Sequence, residues 1–276
     1  MEFTLPQLAH LSIDIATSAG EAIMDFFVKG DFEEFSKDDE SPVTSADYAA
    51  NEIVMAALTT LTPDIPIMSE ETEHLALKDR KDWQLYWLVD PLDGTQEFVA
   101  GRSDFAVNIA LIKNGQPVLG VVHVPVTKTT YWACKGHGTF KIQNGESQKI
   151  KAKPINREEP YLRVAISRVQ TLDTITKYIK PDIPIEFVSL GSCALKSCLV
   201  AEGTADIYIR VGPTGEWDTG APQIIVEEAG GCIIDSEFGE LTYNLRESFL
   251  NPDFMVTSDS KFDWTSVIVP HVSRRD

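Results

Sequence analysis

The chain has 276 residues, against roughly 100–200 for a typical domain, so it holds one large domain or two modest ones. With 43% hydrophobic and 24% charged residues it can bury a sizeable core, which excludes disorder as its main state. Its 24 Lys+Arg against 42 Asp+Glu give a net charge of −18, a field that repels nucleic acid polymers and anionic membrane surfaces at long range.

Leu8, Leu11, Ile15, Ala19, Ala22 and Phe26 recur at helical spacing and predict an amphipathic first helix. Asp14, Glu21 and Asp25 interrupt it, so it lacks the uncharged core of a signal peptide. No stretch reaches the roughly 18 consecutive apolar residues of a membrane span. Cys134, Cys193, Cys198 and Cys232 have no C-x-x-C spacing and read as small core residues of a reduced compartment. A cytoplasmic protein is expected. The polar stretch from Gly30 to Pro42 reads as an exposed loop. Thr44-Ser-Ala-Asp47 resembles a capping box and starts a second helix carrying Ile53, Val54, Ala57 and Leu58, ended by Pro63 and Pro66.

Short apolar runs then stop at carboxylates: Ile65-Pro-Ile-Met-Ser at Glu70-Glu71, and Trp83 to Val89 at Asp90. From Phe105 the pattern is a meander. Asn114-Gly115 marks a hairpin between FAVNIALI and PVLGVVHV, and Tyr131–Cys134 and Thr139–Ile142 add strands around a tip at Gly136-His137-Gly138. After Lys153-Pro154 strands alternate with helices. Strands are expected at Leu162–Ser167, Ile185–Ser189, Ala205–Val211, Cys232–Asp235 and Phe254–Thr257. Helices are expected at Leu172–Ile179, Ser192–Glu202 and Asp218–Ala229. The fold class is therefore α+β followed by α/β, with a subdomain boundary near residue 153, giving 1–153 and 154–276.

The most informative segment is Trp87-Leu-Val-Asp-Pro-Leu-Asp-Gly-Thr-Gln-Glu-Phe98. A buried strand ends at Asp90, Pro91 fixes the direction, Asp93-Gly94 forms a turn and Thr95 begins a short helix. Asp90 and Asp93 then converge on one point with the Leu92 carbonyl between them. The Gly94 and Thr95 amides open a helix, where phosphate binds. Two carboxylates and a carbonyl, without His or Cys, suit Mg²⁺ rather than zinc. A bare D-G-T is otherwise an ordinary capped turn. Glu70 follows its strand as Asp90 does, and Asp218, in Glu-Trp-Asp-Thr-Gly-Ala, stands where a later helix begins. Taken singly, Glu70 reads equally as a solvated loop acid and Asp218 as a helix N-cap. Four acids in one cleft are costly unless cations neutralise them. His10, His74, His123, His137 and His271 are scattered and form no metal motif. Trp83, Trp87 and Trp132 lie in apolar runs and read as core.

Ser69-Glu70-Glu71, Asp90-Pro-Leu-Asp-Gly-Thr95 and Trp217-Asp218, with Ser41-Pro-Val-Thr-Ser-Ala-Asp47 upstream, resemble the inositol monophosphatase-like, lithium-sensitive, magnesium-dependent phosphatases over nearly the whole chain. Within that superfamily the chain looks most like the bacterial bisphosphate nucleotidases, through Asp90–Phe98, Cys198–Gly203 and Arg246–Pro252. The resemblance implies a layered αβαβα sandwich of the inositol monophosphatase / fructose-1,6-bisphosphatase type. It also implies two or three Mg²⁺ ions: Glu70, Asp90 and the Leu92 carbonyl would hold the first, and Asp90, Asp93 and Asp218 the second. Asp47 and Thr95 would orient the attacking water, with Glu70 beside them in the catalytic set. Glu70, Leu92, Asp93, Gly94, Thr95, Ser192, Lys196 and Asp218 are the residues expected near substrate. Lys196 is the candidate for a remote 5′-phosphate, or else a solvated helix lysine; Arg210 is a weaker one, and Ser192 either touches the nucleoside or caps its helix. The implied activity removes the 3′-phosphate of adenosine 3′,5′-bisphosphate, a small phosphorylated nucleotide tied to sulfur metabolism. Inositol monophosphate or another sugar phosphate is the alternative substrate. Monomer and homodimer both remain open. The resemblance adds peripheral attachment at the inner membrane face as an alternative to a purely cytoplasmic location.

Overall fold

In the computed structural model, which describes residues 3–36, 42–156, 158–168 and 170–269, the chain builds five layers. The first is helical. Helix α1 (Leu5–Lys29) opens on a Thr4–Gln7 capping box with proline in its first turn, and Gly30 closes it in the left-handed conformation. The expected loop at Gly30 to Pro42 instead carries two three-residue strands, β1 (Glu34–Ser36) and β2 (Pro42–Thr44), paired antiparallel. Such short polar strands leave no alternation in sequence. Ser41 lies outside the described residues, as does His271. Helix α2 (Ser45–Leu61) starts from the expected Thr44–Asp47 box.

The second layer is a seven-stranded sheet in simple order: β3 (Ile67–Ser69), β4 (Leu85–Asp93), β5 (Ala106–Lys113), β6 (Gln116–Val124), β7 (Thr129–Cys134), β8 (Gly138–Gln143) and β9 (Glu146–Ile150). The short helix α3 (Leu77–Arg80) links β3 to β4, and α4 (Thr95–Val99) links β4 to β5. Only β3–β4 is parallel; the rest is a meander, with Asn114 and Gly115 at φ 52° and 73° in the first hairpin turn. β9, whose sequence ESQKI is exposed except for Ile150, escapes a periodicity reading for the same reason as β1. Its turn, Asn144-Gly145, has the positive φ of the first hairpin.

The chain then forms β10 (Leu162–Ile166), α5 (Leu172–Thr176), β11 (Ile185–Ser189), α6 (Cys193–Ala201), β12 (Ile207–Arg210), α7 (Trp217–Ala229), β13 (Cys232–Asp235) and β14 (Phe254–Thr257). These five strands make a mixed sheet in the order β11-β10-β12-β14-β13. Three cores separate the layers. α1 and α2 cover one face of the large sheet through Leu8, Ile23, Val54, Trp87 and Ile109. α6 and α7 fill the space between the sheets, against Leu88, Ala110, Val122, Tyr208 and Val256. α5 and a 3₁₀ turn at Trp264–Ser266 close the outer face of the second sheet. The result is the αβαβα sandwich the sequence implies. α7 lies so close to β6 that a Cβ on Gly120 would sit 2.5 Å from the Ala221 carbonyl oxygen, so only glycine fits there. Among the described residues no helix is long and apolar enough to cross a membrane. Cys134, Cys193 and Cys198 are free and buried, and Cys232 is free and partly buried.

Candidate active site

The carboxylates meet where β4 leaves the large sheet. β4 does not stop at Asp90 as expected. It pairs on to Asp93↔Ala106 after an irregularity between Asp90 and Asp93, which swings both acids to one side. Pro91 suits such an interruption, because it has no amide for the ladder. The Asp90 Oδ1 accepts from the Leu92 amide at 3.0 Å, which closes this loop. Gly94, at φ 101°, makes the turn into α4, and a Cβ there would meet the Asp104 carbonyl at 2.8 Å.

Asp90, Asp93 and Asp218 each offer an oxygen within 4.8 Å of the others. Asp218 comes from the first turn of α7, its Oδ2 accepting from the Gly215 amide at 2.7 Å. Glu70 lines the same cavity, of about 530 Å³, with Leu92, Thr95 and Lys196. Burial first, then Glu70, Asp93 and Asp218, push the Asp90 carboxyl well above the usual range. Asp218 is raised in the same way, by burial and then Asp93 and Glu70. Asp90 Oδ2 is buried without any hydrogen-bond partner among the described residues. A buried carboxylate oxygen with no donor, facing further acids, is a ligand atom in search of a cation, and an all-oxygen donor set fits Mg²⁺.

Asp47 caps α2 and also reaches Thr95. Its Oδ2 accepts from the Thr44 amide and hydroxyl, each at 2.7 Å, while Oδ1 faces the Thr95 hydroxyl at 3.0 Å. The Thr95 hydroxyl also lies 3.2 Å from the Leu92 carbonyl. One oxygen of Asp47 thus makes the cap and the other faces Thr95.

Asp93 has a role that no local motif reveals. It caps α6 from 100 residues away in sequence, accepting from the Cys193 amide at 3.2 Å, the Ala194 amide at 2.7 Å and the Ser192 hydroxyl. Ser192 in turn accepts from Leu195 at 3.1 Å and holds φ 51°, a conformation that costs a non-glycine residue of order 1–3 kcal/mol. Lys196 is not a solvated helix lysine. It is 2% exposed, because α6 is buried on every side and offers no polar face. Its ammonium donates to the Gly191 and Ser192 carbonyls and lies over the Tyr208 ring at 5.0 Å. Burial, aided by Arg210, pulls its pKa down to about 8. Arg210 lines the same cavity, donating to the Pro213 carbonyl at 2.8 Å, while its Nε lacks a partner among the described residues.

Sequence reasoning missed the acids beside the site. Glu97 and Asp104 are buried and paired with Arg102 and Arg168, and Asp104 accepts from the Gly191 amide at 3.0 Å. This joins the segment between α4 and β5 to the turn before α6. A second cavity of about 360 Å³, lined by Pro154, Leu162 and Phe262, contains none of the convergent acids. His123 is a core residue bonded to the Thr130 hydroxyl at 2.8 Å, and burial lowers its pKa to about 4. Trp87 and Trp132 are core as expected.

A family model described as the Inositol monophosphatase family matches residues 5–261. The 3′(2′),5′-bisphosphate nucleotidase CysQ of Haemophilus influenzae is 42% identical over 253 residues, 92% of this chain and 93% of its own. The CysQ of Salmonella typhimurium is 47% identical over 244 residues, 88% and 96% of the two chains. Among solved structures, CysQ from Bacteroides thetaiotaomicron has a TM-score of 0.79 at 36% identity, covering 92% of this chain and 98% of its own. The family match runs through both sheets and the stretch of chain from Glu70 to Asp218, and the relatives cover most of the chain, so the chain belongs to the inositol monophosphatase family.

Proposed function

We propose that this chain is a Mg²⁺-dependent phosphatase that hydrolyses the 3′-phosphate of adenosine 3′,5′-bisphosphate to AMP and phosphate. One observation carries this reading: a buried acid cluster, with Asp90 Oδ2 unpaired, shares its cavity with two inward cations, Lys196 and Arg210. The acids suit a metal-assisted phosphoryl transfer. The cations suit a second anionic group, which an inositol monophosphate lacks.

Glu70, Asp90, Asp93, Asp218 and the Leu92 carbonyl would hold the metal. Bound there, Mg²⁺ supplies the positive charge that a phosphoryl group needs beside four carboxylates. The remaining work falls to the chain. The Gly94 and Thr95 amides, at the opening of α4, hold phosphoryl oxygens. Thr95 Oγ1 accepts the proton of the attacking water and passes its own to Asp47 Oδ1, along the bond already formed at 3.0 Å. The water oxygen bonds to phosphorus, the P–O3′ bond breaks and the departing 3′ oxygen takes a proton from solvent water, while Asp47 later gives its proton back to solvent. Asp47 Oδ2, engaged by Thr44, fixes which oxygen receives the proton.

The direct test is phosphate release from adenosine 3′,5′-bisphosphate and from inositol 1-phosphate, side by side, with Mg²⁺ and with EDTA. The expected result is a higher kcat/KM for the bisphosphate and no release in EDTA. A preference for inositol phosphate would reverse the substrate assignment, and no release from either would make the chain a nucleotide- or metal-binding regulator. Lys196→Ala is expected to raise KM for the bisphosphate about 10- to 100-fold, the value of a charge-assisted bond, and to spare a monophosphate substrate. Equal losses on both substrates would remove Lys196 from the 5′-phosphate.

A further inference from the structure

Asn108 lies in the middle of β5 at 1% exposure, and neither atom of its amide has a partner among the described residues. The other inward positions of the strand, Ala106, Ala110 and Ile112, are apolar and belong to the core beneath α6 and α7. Burying an unpaired amide opposes folding, and a leucine, which has the same branching but two methyl groups in place of the amide, would not. Packing therefore gives no reason for asparagine here. Register does. Asn108 stands directly opposite Asp90 in the β4–β5 ladder, and opposed residues place their side chains on one face with Cβ atoms about 4.5–5.5 Å apart. Asp90 Oδ1 is taken by the Leu92 amide, and Oδ2 is buried with no donor among the described residues. A donor without an acceptor and an acceptor without a donor thus share one face, beneath the acid cluster.

We infer that Asn108 is a positioning residue for Asp90. Its Nδ2 donates to Asp90 Oδ2 through one buried water, and so keeps that carboxylate oriented for a divalent cation. This rests on the reading of Asp90 as a metal ligand. A side chain that only fills space would affect stability. One that acts through Asp90 affects cation affinity with stability intact.

The test is Mn²⁺ binding to the metal-free full chain without substrate, followed by electron paramagnetic resonance, beside melting temperatures in EDTA. Asn108→Leu is expected to melt at or above the wild-type temperature and to bind Mn²⁺ about tenfold more weakly, the low end for loss of an outer partner of a ligand. Asn108→Ser, which keeps a donor, is expected to recover most of that loss. Should the leucine prevent folding, Asn108→Ala gives the same reading. Wild-type Mn²⁺ affinity in the apolar variant overturns the role of Asn108 while Asp90→Asn still abolishes binding. Failure of the wild type itself to bind Mn²⁺ overturns this role and the metal site together.

Discussion

Asp90→Asn is expected to lower kcat by about three orders of magnitude, or ~4 kcal/mol in the barrier, while the metal-free protein becomes more stable. Both effects have one cause. Asp90 is 1% exposed, and burial with Glu70, Asp93 and Asp218 lifts its carboxyl well above the usual range, as burial with Asp93 and Glu70 lifts that of Asp218. A carboxyl whose folded-state pKa lies above its unfolded one contributes stability below the unfolded value. It loses that contribution as pH rises through the folded value. In EDTA these two groups therefore make the protein less stable as pH climbs from about 4 through their raised folded-state values. Mg²⁺ added at pH 8 is expected to restore what was lost. The asparagine removes one of the two groups, so its melting temperature should vary less with pH than the wild type's. Melting curves in EDTA between pH 5 and 8, with turnover at saturating Mg²⁺, check both halves. Near-normal turnover, or an unchanged pH dependence, would take Asp90 out of the cation site.

Asp47→Asn is expected to lower kcat by about 10²- to 10³-fold, within the usual range for a general base, and to cost ~1 kcal/mol of stability. An amide replaces one oxygen of the carboxylate and not both. If its NH₂ turns towards Thr44 it meets an N–H donor; if it turns towards Thr95 it cannot take the proton. Thr44→Ala separates these effects. It removes the hydroxyl side of the cap and leaves Oδ1 facing Thr95, so it should lose similar stability while keeping kcat within about threefold, ~0.6 kcal/mol. Equal losses of kcat in the two variants would reduce Asp47 to a helix cap.

What the sequence reveals of this site follows the distance over which each interaction acts. Asp90, Leu92, Asp93 and Thr95 are legible because a strand, a proline and a glycine turn set their geometry within six residues. Asp47 and Thr44 are legible through the capping box, though the contact to Thr95 is not. Asp93 as the cap of α6 joins segments 100 residues apart, and no periodicity reports it. Lys196 misleads for a related reason: CALKSCLVA has no polar face, which signals burial on all sides, yet a lysine in a helix reads as solvated. Asn108 did leave a mark, a polar residue at an inward position of FAVNIALI. That mark gains meaning only from the register with Asp90. The strands β1 and β9 were invisible because both of their faces meet water for most of their length.

The placement of α7 bears on synthesis as well as on chemistry. The inner face of the large sheet, with Leu88, Ala110 and Val122, is sealed by Ala221, Ile224 and Ile225. During translation that oily surface stays bare until the codons for the helix have been read and its last turn, ending at Ala229, has cleared the ribosome. The nascent polypeptide is thus most prone to clump when more than half made, and a stop codon before this helix leaves a sticky fragment with no catalytic centre.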